Sequence, residues 1–216
     1  MAELRRSRWG LVAGGLAFAA SVEVATYPLW RKWCLTWGAT PAEAAGPLPG
    51  DDLLTHPTIV TTRAIGVGAP PEAIWPWLAQ IGPGRGGVYT YDWIENLFGL
   101  GVHSTDRILP QFQDLAAGDA QQLGARGPVL RVAVLDPGRA LVFHSDDGHW
   151  VWAFVLAPDG KGTRLISRNR IAWAGASVPG RMLNTFFMEP GSLVMERKML
   201  LGIKRRAENA GLIQPG

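Results

Sequence analysis

Few side chains in this sequence are placed to do chemistry, and they are scattered along it. Glu196 stands in a long C-terminal run where Met195, Met199, Leu200, Ile203 and Ala207 fall on one arc at about 100° per helical residue. Glu196 falls inside that arc, although Arg206 intrudes on its edge. A carboxyl on an apolar face has its charged form disfavoured and its pKa raised, as a general acid or the partner of a ligand hydroxyl requires. The plainer alternative is an ion pair with Arg168 or Arg170, or a place at the open end of the helix. Asp92 and Glu95 lie three apart and share one face of a short helix. They read as an acid/base pair, or Asp92 caps the helix or neutralises Arg85. His103 and Asp106 are also three apart, a dyad if they meet and surface residues if they do not. The candidate catalytic residues are therefore Glu196, Asp92 and His103.

The stretch Trp75 to Asn96 concentrates three tryptophans, two tyrosines and four glycines. Aromatic rings supply large apolar area with few torsions to freeze, and glycines allow sharp turns and close backbone approach. The block reads as the mouth or wall of a pocket rather than a plain core helix. Arg85 is its possible anion partner, and Tyr89, Tyr91 and Trp93 are the ligand contacts it offers. Alternation along a strand puts Trp150, Trp152, Phe154 and Leu156 on one face, so Trp152 joins them. Met195 and Met199 supply an adaptable wall for an apolar ligand, or plain core. Arg164, Arg168 and Arg170 share a strand face, which is either solvent-facing or a lining for a carboxylate or phosphate.

Metal and redox chemistry have no visible carriers. Four scattered histidines form no ligand set, and Cys34 is the only cysteine, between Trp33 and Leu35, which suits a buried, inert thiol. No cofactor is expected. The net charge is +3, and the basic residues gather at the two ends without any nucleic-acid motif beside them, so no nucleic-acid partner is expected.

These side chains need elements to position them. Thr58 to Val67 is β-branched and bounded by prolines, hence a strand. A helix follows from about Glu72 to Ile81, with Pro70 and Pro71 in its approach and first turn, and a second short helix covers Tyr91 to Leu100. Ala116 to Gly124 reads as a turn and short strand. Further strands are expected at Val129 to Leu135, Ala140 to His144, Trp150 to Leu156 and Thr163 to Ala172, joined by Pro/Asp/Gly turns. A helix from about Pro190 to Ala210 closes the chain. Hairpins with one long helix imply an α+β fold, a curved antiparallel sheet wrapped on that helix.

Ahead of this domain, Trp9 to Tyr27 is almost wholly apolar, extends to Trp30, and is flanked by Arg5, Arg6 and Arg8 on one side and Arg31 and Lys32 on the other. Its length matches the roughly 20 residues that cross a bilayer. The expectation is a membrane protein with a single-pass N-terminal anchor. A cleaved signal peptide, with export of the remainder, and a buried amphipathic helix are the alternatives. The division expected is a hydrophobic segment over 1–32, a linker over 33–57 with a short helical turn within 38–57, a ligand-binding domain over 58–210 and a tail over 211–216.

The element order and several motifs together resemble the START-like or Bet v 1-like superfamily, which includes polyketide cyclase/dehydratase and lipid-transport proteins. The resemblance is to a bacterial subgroup with an N-terminal hydrophobic segment. It is carried by Trp37-Gly-Ala-Thr40, Leu48-Pro-Gly-Asp51, Thr62-Arg-Ala64, Ala69 to Gly82, Arg85 to Asn96, Asp106-Arg-Ile108, Gly118-Asp119 and Thr163-Arg-Leu165. It implies a helix-grip fold around a hydrophobic cavity for lipids, polyketides or similar molecules, and no universal catalytic set travels with it. The function expected is a membrane-tethered binding or carrier protein for a hydrophobic small molecule. The alternatives are a cyclase- or dehydratase-type enzyme working by carboxylate acid/base chemistry, and a non-catalytic interaction module with a filled core.

Overall fold

A computed structural model of the chain describes residues 27–97, 99–124, 127–172 and 184–210. Residues 1–34 and 35–216 form separate compact units. In the first, the residues from 27 onward are helical, and the rings of Trp30 and Trp33 lie 5.2 Å apart. Cys34 is buried. Among the described residues no helix is long and apolar enough to cross a membrane. The expected membrane localisation is corrected accordingly. Residues 9–26 of the proposed anchor, and the signal-peptide alternative with them, lie outside the described residues.

The second unit is built on a six-stranded antiparallel sheet in the order β1-β6-β5-β4-β3-β2. Its strands are β1 (Ile59–Val67), β2 (Ala120–Gln122), β3 (Val129–Asp136), β4 (Ala140–Ser145), β5 (Trp150–Asp159) and β6 (Gly162–Ile171). The β-branched and aromatic runs that favour strands fall where the ladder runs, and Pro/Gly/Asp turns close the hairpins. The helices are α1 (Pro41–Ala45), α2 (Pro71–Ala79), α3 (Asp92–Leu97) and α4 (Glu189–Ala210), the last entered through a π-helical turn at Asn184–Met188. Pro71 opens α2, where a missing N–H costs nothing.

The first strand pairs with the last, so β1 and β6 bring distant residues into register: Thr61 opposite Asn169, and Arg63 opposite Ser167. On β5, Trp152 stands opposite Asn169 and Phe154 opposite Ser167. One face of the sheet meets α2 and α4 through Phe154, Leu165, Leu200 and Ile203, all fully buried. Lys204 Nζ donates to Gly66 O (2.8 Å) and Glu208 Oε1 accepts from Gly68 N (2.7 Å), which fastens the C-terminal end of α4 to the end of β1.

The opposite face is covered too. Residues 38–57, expected as a linker with a short helical turn, carry α1, capped by a reciprocal Thr40–Glu43 capping box. Arg168 lies beneath them, only 3% exposed. Its guanidinium donates to Glu43 O (2.7 Å), Ala44 O (3.2 Å) and Gly46 O (2.9 Å), pairs with Asp51 (2.6 Å) and reaches Thr62 Oγ1 (2.9 Å). Carbonyls at a helix C-terminus have no helical partner, and a planar fork of donors satisfies several at once. Arg164 pairs with Glu43 (2.7 Å), and Arg170 Nε donates to Leu54 O (2.9 Å). The three arginines therefore hold this strap; they neither face open solvent nor line a ligand site.

Candidate functional site

Between the sheet and α4 lies a cavity of about 390 Å³. Trp150 and Trp152 project into it from alternate positions of β5, their rings stacked 5.7 Å apart. Met195 and Met199 of α4 face it, and Val88, Leu100, Val102 and Leu123 supply further apolar wall. The tryptophans owe their place to the period of a strand, and the methionines to the i, i+4 spacing of a helix.

One end of the cavity is polar and internally paired. Arg63, fully buried on β1, donates through Nη1 to Glu196 Oε2 on α4. Its Nη2 donates to Ser192 Oγ (2.9 Å), and that hydroxyl donates to Glu189 O (2.8 Å). Asn169 Nδ2 donates to Glu196 Oε1 (3.2 Å), while Asn169 Oδ1 accepts from Trp150 Nε1 (2.8 Å). The indole N–H fixes which way the Asn169 amide points, since it can only donate. Beside them, Trp152 Nε1 donates to Ser167 Oγ (3.2 Å).

A second carboxyl, Glu95 of α3, also lines the cavity and accepts from Thr90 Oγ1 (2.8 Å). Burial raises its pKa above the ordinary carboxylate value; the Thr90 hydrogen bond lowers it in part, and Asp92 adds a further rise. The mouth block expected to contact ligand does contribute, through Pro83, Val88, Thr90 and Glu95.

Of the residues expected to touch ligand, Trp152, Met195 and Met199 line this cavity, and so does Glu196. Its counter-ion is Arg63 on β1, not Arg168 or Arg170 on β6. The others are placed elsewhere. Val88 and Thr90 turn toward the cavity, and the intervening Tyr89 turns away. That tyrosine is 1% exposed, with a left-handed φ of 59° and its hydroxyl donating to Trp77 O (3.0 Å). Burial raises its phenol pKa. Tyr91 lies under Lys198, 5.3 Å from the ring centroid, and Trp93 is 70% exposed. Arg85 donates to Ala79 O (3.0 Å) and Phe112 O (3.3 Å) and sits 4.5 Å over the Phe112 ring.

The expected acids and base separate as well. Asp92 accepts from Ser104 N (2.7 Å) and Ser104 Oγ (2.6 Å), closing the loop after α3 rather than facing the cavity. His103 is exposed on that loop, and Asp106 pairs with Arg206 (2.8 Å), so the suggested dyad does not form. The described residues contain no group of three or more His, Cys, Asp or Glu side chains able to hold a metal ion.

Reasoning from sequence missed Arg63, Asn169 and Ser192. Arg63 carried the one available signal, a charge inside a β-branched strand. A strand's two faces cannot be ranked from β1 alone, where Thr61 and Thr62 flank the choice.

No protein-family model and no curated protein matches this chain. Among solved structures it is similar to a protein from Rhodobacter sphaeroides at 13% identity and TM-score 0.45, covering 72% of this chain and 93% of that one. It is similar to a polyketide cyclase-like protein from Corynebacterium glutamicum at 14% identity and TM-score 0.38, covering 70% and 92%. It is also similar to an AHSA1-like protein from Aeromonas hydrophila at 17% identity and TM-score 0.38, covering 73% and 98%. The strand order, the hairpins and the helix laid across the sheet are those of the helix-grip, Bet v 1-like fold.

Proposed function

We propose that this chain is a binding or carrier protein for a hydrophobic small molecule, a lipid, polyketide or compound of similar character. The molecule sits between the sheet and α4, its apolar body against Trp150, Trp152, Met195 and Met199. Its polar group turns toward Glu196, Arg63 and Asn169. The carrying observation is the cavity itself: about 390 Å³, apolar over most of its wall, with one polar cluster at one end. Pockets that fix small ligands have this composition. A cavity of this size also speaks against an interaction module with a filled core, because natural interiors rarely leave voids larger than a water molecule.

A cyclase- or dehydratase-type enzyme is the second reading, and Glu95 is the observation in its favour. Its carboxyl faces the cavity with its pKa raised by burial, a property suited to a general acid. The reading loses support from the dispersal of Asp92 and His103, which leaves Glu196 alone of its expected set at the cavity.

Native mass spectrometry of the full chain purified from its own cells tests the binding reading. A co-purifying apolar molecule, lost on Trp152→Ala together with Met199→Ala, is the expected result. Repeated recovery of an empty chain that also fails to take up the uncharged dye Nile red would overturn it. Turnover of a recovered molecule that stops in Glu95→Gln would favour the enzyme.

A further inference from the structure

The cavity has an electrical character as well as a size. Among the described residues lining it, Arg63 is the single cation, and Glu95 and Glu196 are the two carboxyl groups. Arg63 is committed to Glu196 across the β1–α4 interface, so its charge is already answered. Glu95 forms no ion pair among the described residues; its one polar partner is the neutral Thr90 hydroxyl. A ligand carboxylate entering this space would gain no unanswered cation and would approach two acids.

The polar end points the same way. Trp150, Asn169, Glu196, Arg63 and Ser192 form a continuous chain of hydrogen bonds. Oxygens of the Glu196 carboxylate keep lone pairs beyond the two donors they hold, since a carboxylate offers about four acceptor sites. The group best received there is a donor without charge. A ligand anion would instead have to displace Glu196 from Arg63 or remain unpaired, and an unpaired buried charge is costly. Burial already disfavours the charged form of Glu95, so a second negative charge nearby adds to a cost the site carries when empty.

We propose that the cavity selects uncharged, hydroxyl-bearing apolar molecules over carboxylates of the same carbon skeleton, and that Glu95 is the residue enforcing the selection. The proposal rests on the cavity-binding reading above and names its ligand class.

The test is displacement of Nile red from the full chain at mildly alkaline pH, with n-decanol and decanoate as skeleton-matched competitors. Decanol is expected to displace the dye at concentrations at least about tenfold lower than decanoate, the scale of a like-charge contact in a partly buried site. Glu95→Gln keeps the acceptor for Thr90 and removes the charge. It is expected to close most of that gap, chiefly by improving decanoate. Glu95→Asp retains the charge and is expected to retain the preference.

Dye uptake followed by equal or better displacement by decanoate overturns the ligand class and leaves the cavity reading standing. A preference unchanged in Glu95→Gln overturns the role given to Glu95. Failure of the wild-type chain to take up the dye overturns the cavity reading and this proposal with it. The wild-type comparison tests the class even if a variant does not fold.

Discussion

Arg63 and Glu196 hold opposite charges out of water on facing elements, with side chains 0% and 8% exposed. Removing charges from water costs several kcal/mol each, and their attraction in the interior repays it only when geometry and further hydrogen bonds are good. Here Ser192 and Asn169 supply those bonds. The asymmetry between deleting one partner and deleting both follows. Arg63→Met is expected to cost about 3–5 kcal/mol, because Glu196 is left buried and alone. Arg63→Met with Glu196→Leu is expected to recover most of that loss. Urea unfolding of the two single variants and the double variant measures the coupling, and additive losses would show that the pair does not act as a unit. Glu196 was visible in the sequence because a helix advertises its faces over many turns. Arg63 was not, because a nine-residue strand with polar residues at adjacent positions looks alike from either side. The same limit displaced the expected cavity-facing residues by one position in the run Val88 to Tyr91. There the large tyrosines are the conspicuous side chains, while the smaller Val88 and Thr90 face the cavity.

Elements were more legible than sites. Every expected strand is present with ends shifted by at most a few residues, since β-branched runs bounded by Pro, Gly and Asp leave little choice. The strap over the outer face was not legible, because its attachment depends on contacts more than a hundred residues away in sequence. Arg168 is its fastening, and the geometry matters as much as the charge. Arg168→Lys keeps a cation but cannot serve Glu43 O, Ala44 O, Gly46 O and Asp51 together. It is expected to cost about 3 kcal/mol and to open residues 40–54 to limited proteolysis, while the sheet resists. Uniform cleavage of strap and sheet would mean that the strap is no separable element. On the other face, α4 approaches the mouth block at Gly202, where an added Cβ would lie 2.8 Å from Tyr89 O. Gly202→Ala is expected to destabilise by about 1–3 kcal/mol through overpacking. Wild-type stability in that variant would show that helix and loop can separate freely.

For the whole molecule, pH sets carboxyl groups against one another. Glu43 is held at about 2, well below its ordinary 4.5, first by the hydrogen bonds from Arg164, against the effect of burial. Asp147 is lowered chiefly by the Ser145 hydroxyl. For Glu208 burial works upward, but Lys204 and the Gly68 amide outweigh it and the net shift is down. A carboxyl whose pKa falls on folding stabilises the native state above its unfolded value, and that contribution disappears as pH drops through the folded value. Glu95 has the opposite sign: its raised pKa favours the native state at low pH and the advantage is lost as pH rises through it. Asp146 is lowered too, by the Arg131 hydrogen bond, so among the described residues four lowered carboxyl groups against one raised give a net loss of stability on acidification, and for Glu43 the interval runs from about 4.5 down to about 2. Glu43→Gln is therefore expected to lower stability near neutral pH by about 2 kcal/mol, the scale of hydrogen bonds to a charged group. The variant should show a shallower acid loss, so that the two stability curves converge as pH approaches the folded value. Urea midpoints across the acid range provide the measurement. Curves that stay parallel through that interval would mean that the strap's ion pair is not what acid removes. Convergence would place an acid-sensitive contact at the outer strap, on the opposite side of the sheet from the cavity.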